Sequence, residues 1–182
     1  MQEQVRSAGE LAFIGVIIQL AGLLLGGLVT LAGYIVELIA IKRLSEAFNN
    51  PAIWRNALNA VILAIVGTVV LIASFFAFLF GLPLLLIPMN PSLYPLLSIG
   101  IVAAILVVAY VFIFLSGGYY RNFYNELADS SGISEFRDAA KWTWLGAVLF
   151  IVIVGAVLLL VGRIFALLGY NRLKEWKPPQ QT

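Results

Sequence analysis

The chain has 182 residues, 62% hydrophobic and 11% charged, with a mean hydropathy of +1.02, whereas a soluble domain is about half apolar and a quarter charged. Its net charge of +2 and pI near 9.0 suit contact with anionic lipid and give no separate argument for nucleic acid. The sequence contains neither Cys nor His, which excludes disulfides, thiolate and His-ligated metal or haem sites, and any Cys or His nucleophile or base, so no cofactor is expected.

In chain order, the N-terminus reads as part of the fold and not as a signal peptide, because Glu3, Gln4, Arg6 and Glu10 give no basic leader. The first apolar run, Leu11 to Ile41, is 31 residues long, about 46 Å of helix, and awkward as a single crossing. Gly22, Gly26 and Gly27 allow a turn in its middle, so the sequence predicts two arms, Gln4 to Leu25 and Leu28 to Phe48. Asn50-Pro51 then reads as a helix cap followed by a first helical residue. The second run spans Ala57 to Phe80. The connection from Gly81 to Pro95 holds four prolines and no charge, and is expected in the outer interface or under a neighbouring protein.

The third run, from about Leu93 to Tyr120, leads into the most polar segment, Tyr119 to Ala139, where Ser130-Ser131-Gly132 predicts a helix break and Ser134 an N-cap. Glu126, Asp129, Glu135 and Asp138 alternate there with Arg121, Arg137 and Lys141, which reads as solvated helix ends and not as a metal or acid–base cluster. The fourth run, Trp142 to Leu168, carries Gly155 and Gly162 and again predicts two arms, Ser134 to Val154 and Val157 to Trp176. An internal repeat supports the parallel between the first and last runs. Gly33 to Glu46 aligns without gaps on Gly162 to Glu175, with six of 14 positions identical, the informative ones being the Gly, Arg43/Arg172 and Glu46/Glu175.

The fold class expected is therefore all-α: a polytopic integral membrane protein, one transmembrane domain over 1–182, with six helices as three hairpins at about 4–48, 51–128 and 134–176 and a short polar tail at 177–182. Four long spans are the alternative. Charge placement favours six, because ten of the 11 Lys and Arg residues then fall on one face, which the positive-inside rule makes cytoplasmic together with both termini. Lys42, Arg43, Trp54, Arg55, Arg121, Arg137, Lys141, Trp142, Trp144, Arg172 and Trp176 are the expected contacts for anionic headgroups there, and Tyr119, Tyr120 and Tyr124 belong to the same aromatic belt.

Glu37 and Arg163 are the two charges left inside spans. They sit on equivalent helices of the repeat, about one turn apart in depth, so a buried pair is expected. A structural pair, or two side chains that snorkel with Glu37 protonated, is the favoured reading over an ion or proton path or a substrate counter-ion, since a path needs more polar lining than one acid and one base.

Through Leu44 to Leu58 (LSEAFNNPAIWRNAL) and Phe123 to Ala139 (FYNELADSSGISEFRDA), the chain resembles a family of hydrophobic membrane proteins, mostly archaeal with some bacterial members, whose function is unknown. The resemblance covers nearly the whole chain, implies an archaeal or bacterial cell membrane, and brings no catalytic residues. Two functions are weighed. One is a non-catalytic accessory or structural subunit of a larger membrane assembly, such as a respiratory or other energy-converting complex, with other membrane subunits as partners. The alternative is a small homo-oligomeric channel or transporter with Glu37 and Arg163 near its path. An enzyme is not expected, because no constellation of carboxylates or lysines is present to supply the base.

Overall fold

A computed structural model describes residues 1–76, 79, 94–152 and 154–178. Among these, six helices follow one another: α1 (Gln2–Leu25), α2 (Gly27–Ala47), α3 (Pro51–Phe76), α4 (Tyr94–Ser131), α5 (Glu135–Val148) and α6 (Val154–Leu173). The three hairpins expected from the sequence are formed by α1 with α2, α3 with α4 and α5 with α6. They join through α2 against α3, α4 against α5 and α1 against α6. The chain is thus an all-helical, polytopic bundle. Of the proline-rich connection Gly81–Pro95, expected in the outer interface or under a neighbouring protein, residues 81–93 lie outside the described residues, and Tyr94 and Pro95 open α4.

A single residue, Gly26, reverses the chain between α1 and α2. Its φ of +116° is open to glycine and strained for other residues, and its N–H closes α1 on the Gly22 carbonyl at 2.8 Å. The last hairpin corrects the sequence expectation. The first arm was expected to reach Val154, but α5 ends at Val148 and the chain turns over 149–152, with Val152 N–H donating to the Leu149 carbonyl at 3.0 Å. Gly155 is therefore not the turn. It lies in the first turn of α6, and its missing Cβ makes room for the backbone of Leu149 and Phe150.

Four helical segments, Gln2–Gly22, Pro51–Phe76, Ala103–Ser131 and Val154–Leu173, are long and apolar enough to cross a membrane. The return legs differ for physical reasons. α2 carries Glu37, Lys42, Arg43 and Glu46 along its 21 residues, and α5 has only 14 residues, about 21 Å of helix.

The bundle has two unlike ends. The turn at Gly26 and the turn at 149–152 lie at one end, where Leu24, Leu28 and Ile151 are 91%, 84% and 78% exposed, as lipid-facing side chains would be. The N-terminus, the tail as far as residue 178, and the Asn49–Asn50 and Gly132–Ser134 links lie at the other, charged end, which holds 18 of the 20 charged residues. The core is concentrated towards this charged end: Val5, Ala8, Leu44, Ile53, Phe123, Leu127, Phe136 and Leu173 are completely buried.

Side-chain hydrogen bonds fix the links at the charged end. Asn49 takes a φ of +50°, which Asn tolerates better than most residues, and Asn50 caps α3 as expected, its Oδ1 accepting the Ala52 N–H at 3.1 Å. The same amide donates to Glu126 Oε2 at 2.9 Å and Ser130 Oγ at 3.1 Å, so one residue ties α3 to the far end of α4. Ser134 occupies the N-cap position of α5 without capping through its side chain; its hydroxyl instead donates to Glu135 Oε2 at 3.2 Å.

Trp176, expected at the headgroup layer, is another correction. It is 7% exposed, its indole N–H donates to the Ser131 carbonyl at 2.8 Å, and its ring meets Phe48 edge-on at 5.4 Å. Its carbonyl in turn accepts from Gln2 Nε2 and Arg6 Nε, both at 3.3 Å, so the start of α1 and the segment after α6 close the bundle together. An indole that finds a protein acceptor no longer needs the wet interface. Trp176→Phe, which keeps most of the ring but loses the N–H, is expected to cost about 1–2 kcal/mol, read as a lower unfolding midpoint in detergent.

Candidate functional site: a buried ion pair beneath a central cavity

The site is assembled from four helices. α1 contributes Gln19; α2 contributes Tyr34 and Glu37, one turn apart; α4 contributes Tyr120 and Tyr124, again one turn apart; α6 contributes Arg163 and Tyr170, two turns apart. All seven point inward because the opposite faces of these helices carry the large exposed apolar side chains, such as Ile35, Leu115, Ile164 and Leu168.

The structure brings Glu37 and Arg163 together. Arg163 Nη1 lies 3.1 Å from Glu37 Oε2 and 3.2 Å from Oε1, straddling the carboxylate. Glu37 is 2% exposed. Its Oε2 also accepts from Gln19 Nε2 at 2.6 Å, and its Oε1 from the Tyr170 hydroxyl at 3.1 Å. A charge taken out of water is tolerable only when its partner and its remaining lone pairs are supplied, and here both are.

The guanidinium is served on its other side by phenols. Nη1 donates to Tyr124 Oη at 3.3 Å and Nη2 to Tyr120 Oη at 3.2 Å. The Tyr34 and Tyr120 rings flank it, with centroids 5.3 and 5.0 Å from Arg163 Cζ, within cation–π range.

The sequence reading found the two charges but missed the tyrosines and the amide that complete the site. Tyr120 and Tyr124 were expected in an interfacial belt; they are 7% and 1% exposed and belong to the core. Their four-residue spacing, one helical turn, was the available signal. Gln19, an amide in an apolar run, was another. For Tyr170, close to the charged tail, no sequence signal distinguished burial from an interfacial position.

On the turn side of the ion pair lies a cavity of about 460 Å³, reached by residues of all six helices. Gln19, Tyr34, Tyr120, Tyr124 and Arg163 form its polar floor, while Val16, Leu20, Ala64, Ile113, Leu159 and Leu160 give it apolar walls. On the charged side of the pair the fully buried Ile41, Leu44, Phe123, Phe136 and Leu173 close the bundle, so the cavity is blind.

Thr143, also in the lining, is the residue whose buried side-chain oxygen has no hydrogen-bond partner among the described residues. It is pressed against Gly162 where α5 crosses α6. Removing an unsatisfied buried hydroxyl while keeping the shape should help: Thr143→Val is expected to stabilise the bundle by about 1 kcal/mol, seen as a higher thermal midpoint in detergent.

The remaining sequence candidates lie at the charged end. Lys42, Arg43, Arg55, Arg121, Arg137, Lys141 and Arg172 are exposed there, with Trp54, Trp142 and Trp144 half-buried beside them. Arg121 lies over the Trp144 ring at 5.6 Å and Lys141 over Trp142 at 5.8 Å. The acidic quartet of the α4–α5 region is largely used in ties: Asp129 pairs with Arg137 at 2.8 Å, Glu135 pairs with Arg172, and Glu126 accepts from Asn50. No group of three or more Asp, Glu, His or Cys residues able to hold a metal occurs among the described residues.

A multi-helix apolar bundle with a buried, fully hydrogen-bonded ion pair defines a polytopic membrane protein. The chain belongs to the family described as protein of unknown function (DUF996), which matches residues 29–164 and so includes both Glu37 and Arg163. Uncharacterized protein MJ1644 of Methanocaldococcus jannaschii is similar over 172 residues, 94% of each chain, at 24% identity. No solved structure matches the chain.

Proposed function

We propose that this protein is a non-catalytic, multi-pass component of the archaeal or bacterial cell membrane, serving as an accessory or structural subunit of a larger assembly such as an energy-converting complex. The observation that carries this reading is the closure of the interior. Arg163 is neutralised by Glu37, the carboxylate is saturated by Gln19 and Tyr170, and packed side chains fill the bundle on the charged side. Groups so fully engaged serve to hold helices together and are poorly placed to move ions.

The charged end is assigned to the cytoplasmic face on the positive-inside bias, with both termini there and Lys42, Arg43, Arg55, Arg121, Arg137, Lys141 and Arg172 meeting anionic headgroups. Because α2 returns alongside α1 and α5 alongside α6, all six helices then traverse the bilayer, the shorter legs shielded by their partners. External labelling of a cysteine appended at the C-terminus would overturn this orientation.

The first and last hairpins are read as a repeat. The alignment that pairs Gly33 with Gly162 also pairs Tyr34 with Arg163, and these two meet face to face at the cavity floor.

A channel or transporter is the second reading, favoured by the cavity that reaches Arg163. Purification from native membranes without cross-linking, followed by subunit mass spectrometry, separates the two. A complex of fixed stoichiometry with other membrane proteins is expected. A homo-oligomer that carries ion flux in liposomes would replace the first reading with the second.

A further inference from the structure

Protein interiors rarely leave gaps much larger than a water molecule, and a space of about 460 Å³ at the centre of this bundle falls within the range of ligand sites between helices. At roughly 30 Å³ each, the share of a water molecule in the liquid, it has room for about 15 non-hydrogen atoms. Its walls are mostly aliphatic, with the hydroxyls of Thr30, Thr68, Ser116 and Thr143 set among them.

The floor specifies the polar part of an occupant. The Tyr120 and Tyr124 oxygens each accept an N–H from Arg163, at 3.2 and 3.3 Å, which leaves both phenolic hydrogens to be donated. Neither has an acceptor among the described residues, and the Tyr34 hydroxyl beside them has no hydrogen-bond partner there either. The positive charge of Arg163 is already matched by Glu37. An anionic head would add an unmatched negative charge beside a buried carboxylate, and a cationic one an unmatched positive charge beside a buried guanidinium. An uncharged head with acceptor oxygens leaves no charge unmatched and supplies what the phenols lack.

We propose that this cavity binds an uncharged, lipid-soluble molecule bearing one or two carbonyl or ether oxygens, which accept hydrogen bonds from Tyr120 and Tyr124 while its apolar part lies along α1, α3 and α6. The volume selects a single chain or a ring system over a two-chain lipid. Thr68, Ala156 and Leu160 are exposed members of the lining, so the occupant enters from the bilayer near the turn end. The site holds whether the protein acts alone or within an assembly, so its test is independent of the proposed function.

The test uses the full chain in lipid nanodiscs, with tritiated 2-tetradecanone as probe and empty nanodiscs subtracted. Saturable binding of one ketone per chain is expected, with tetradecane, tetradecanoate and 1,2-dioctanoylglycerol each at least about tenfold weaker, the scale of one lost hydrogen bond or one unmatched charge. Tyr120→Phe is expected to weaken ketone binding by a similar factor. Because that change also removes an acceptor for Arg163, Ala64→Phe is the second variant: it fills the cavity from α3 without touching the floor, and should abolish ketone binding while the thermal midpoint of the unliganded protein is kept. Absence of saturable ketone binding, ketone binding that survives Ala64→Phe, or tetradecane or tetradecanoate binding as tightly as the ketone would each overturn the proposal.

Discussion

Glu37→Leu is expected to destabilise the bundle by about 3–5 kcal/mol, the cost of leaving a buried guanidinium without its counter-charge. The loss is larger than that of one hydrogen bond because three donor groups converge on this carboxylate. Gln19, Tyr170 and Arg163 all lose their acceptor at once, and α1, α2 and α6 lose the group that joins them. Arg163→Met removes the cation but leaves Glu37 with two donors, and should cost less. The double variant, lacking both charges, is expected to recover much of the loss, since a buried pair replaced by apolar side chains of similar size is often close to neutral. A double-mutant cycle on unfolding midpoints in detergent checks this. Coupling of about 1–3 kcal/mol is expected between contacting residues, and additive effects would mean that the pair does not act as a unit.

How much of this site was legible beforehand follows from what each residue type reveals in an apolar chain. Glu37 and Arg163 stand out because an ionised side chain in a span is costly, so two of them at similar depth imply one another. The hairpins were legible for the same reason: the cations fall on one face in one topology alone, and α1/α2 and α3/α4 form close to where charge and glycine placed them. Tyrosine carries no such signal. At a helix end it serves equally well in the headgroup layer or, with a partner for its hydroxyl, in the core, and only the tertiary arrangement decided that Tyr120, Tyr124 and Tyr170 line up on Arg163 and Glu37. Trp176 was misplaced by the same ambiguity. The end of α5 was misjudged because Leu149, Phe150, Ile151 and Val152 continue an apolar run that, by composition, a helix would also accept.

Gly33→Leu is expected to prevent the first hairpin from closing, and with it the assembly of the site. Gly33 and Gly15 face each other where α1 crosses α2. A Cβ on Gly33 would lie 2.6 Å from the Gln19 backbone nitrogen and 2.8 Å from the Gly15 carbonyl oxygen, and one on Gly15 would lie 2.7 Å from the Glu37 nitrogen. Both obstacles are backbone, which cannot rotate aside as a side chain would. Even Gly33→Ala must therefore part the helices, at about 1–3 kcal/mol for overpacking. The consequence reaches the chemistry because Gln19, whose backbone the added Cβ would push away, is hydrogen-bonded at 2.6 Å to Glu37, one turn beyond Gly33 on α2. Parting the helices by even 1 Å or so takes that bond beyond hydrogen-bond range and withdraws the carboxylate from Arg163. The control is Gly100→Ala in α4. Nothing lies within 4 Å of the added methyl, and a helix interior favours Ala over Gly by about 1 kcal/mol, so that variant should be neutral or more stable. Unfolding midpoints of the three variants, read beside the Glu37→Leu value, show whether close backbone approach and the ion pair are one structural device. If Gly33→Leu folds with an undiminished midpoint, the hairpin is not held by that crossing and the site does not depend on it.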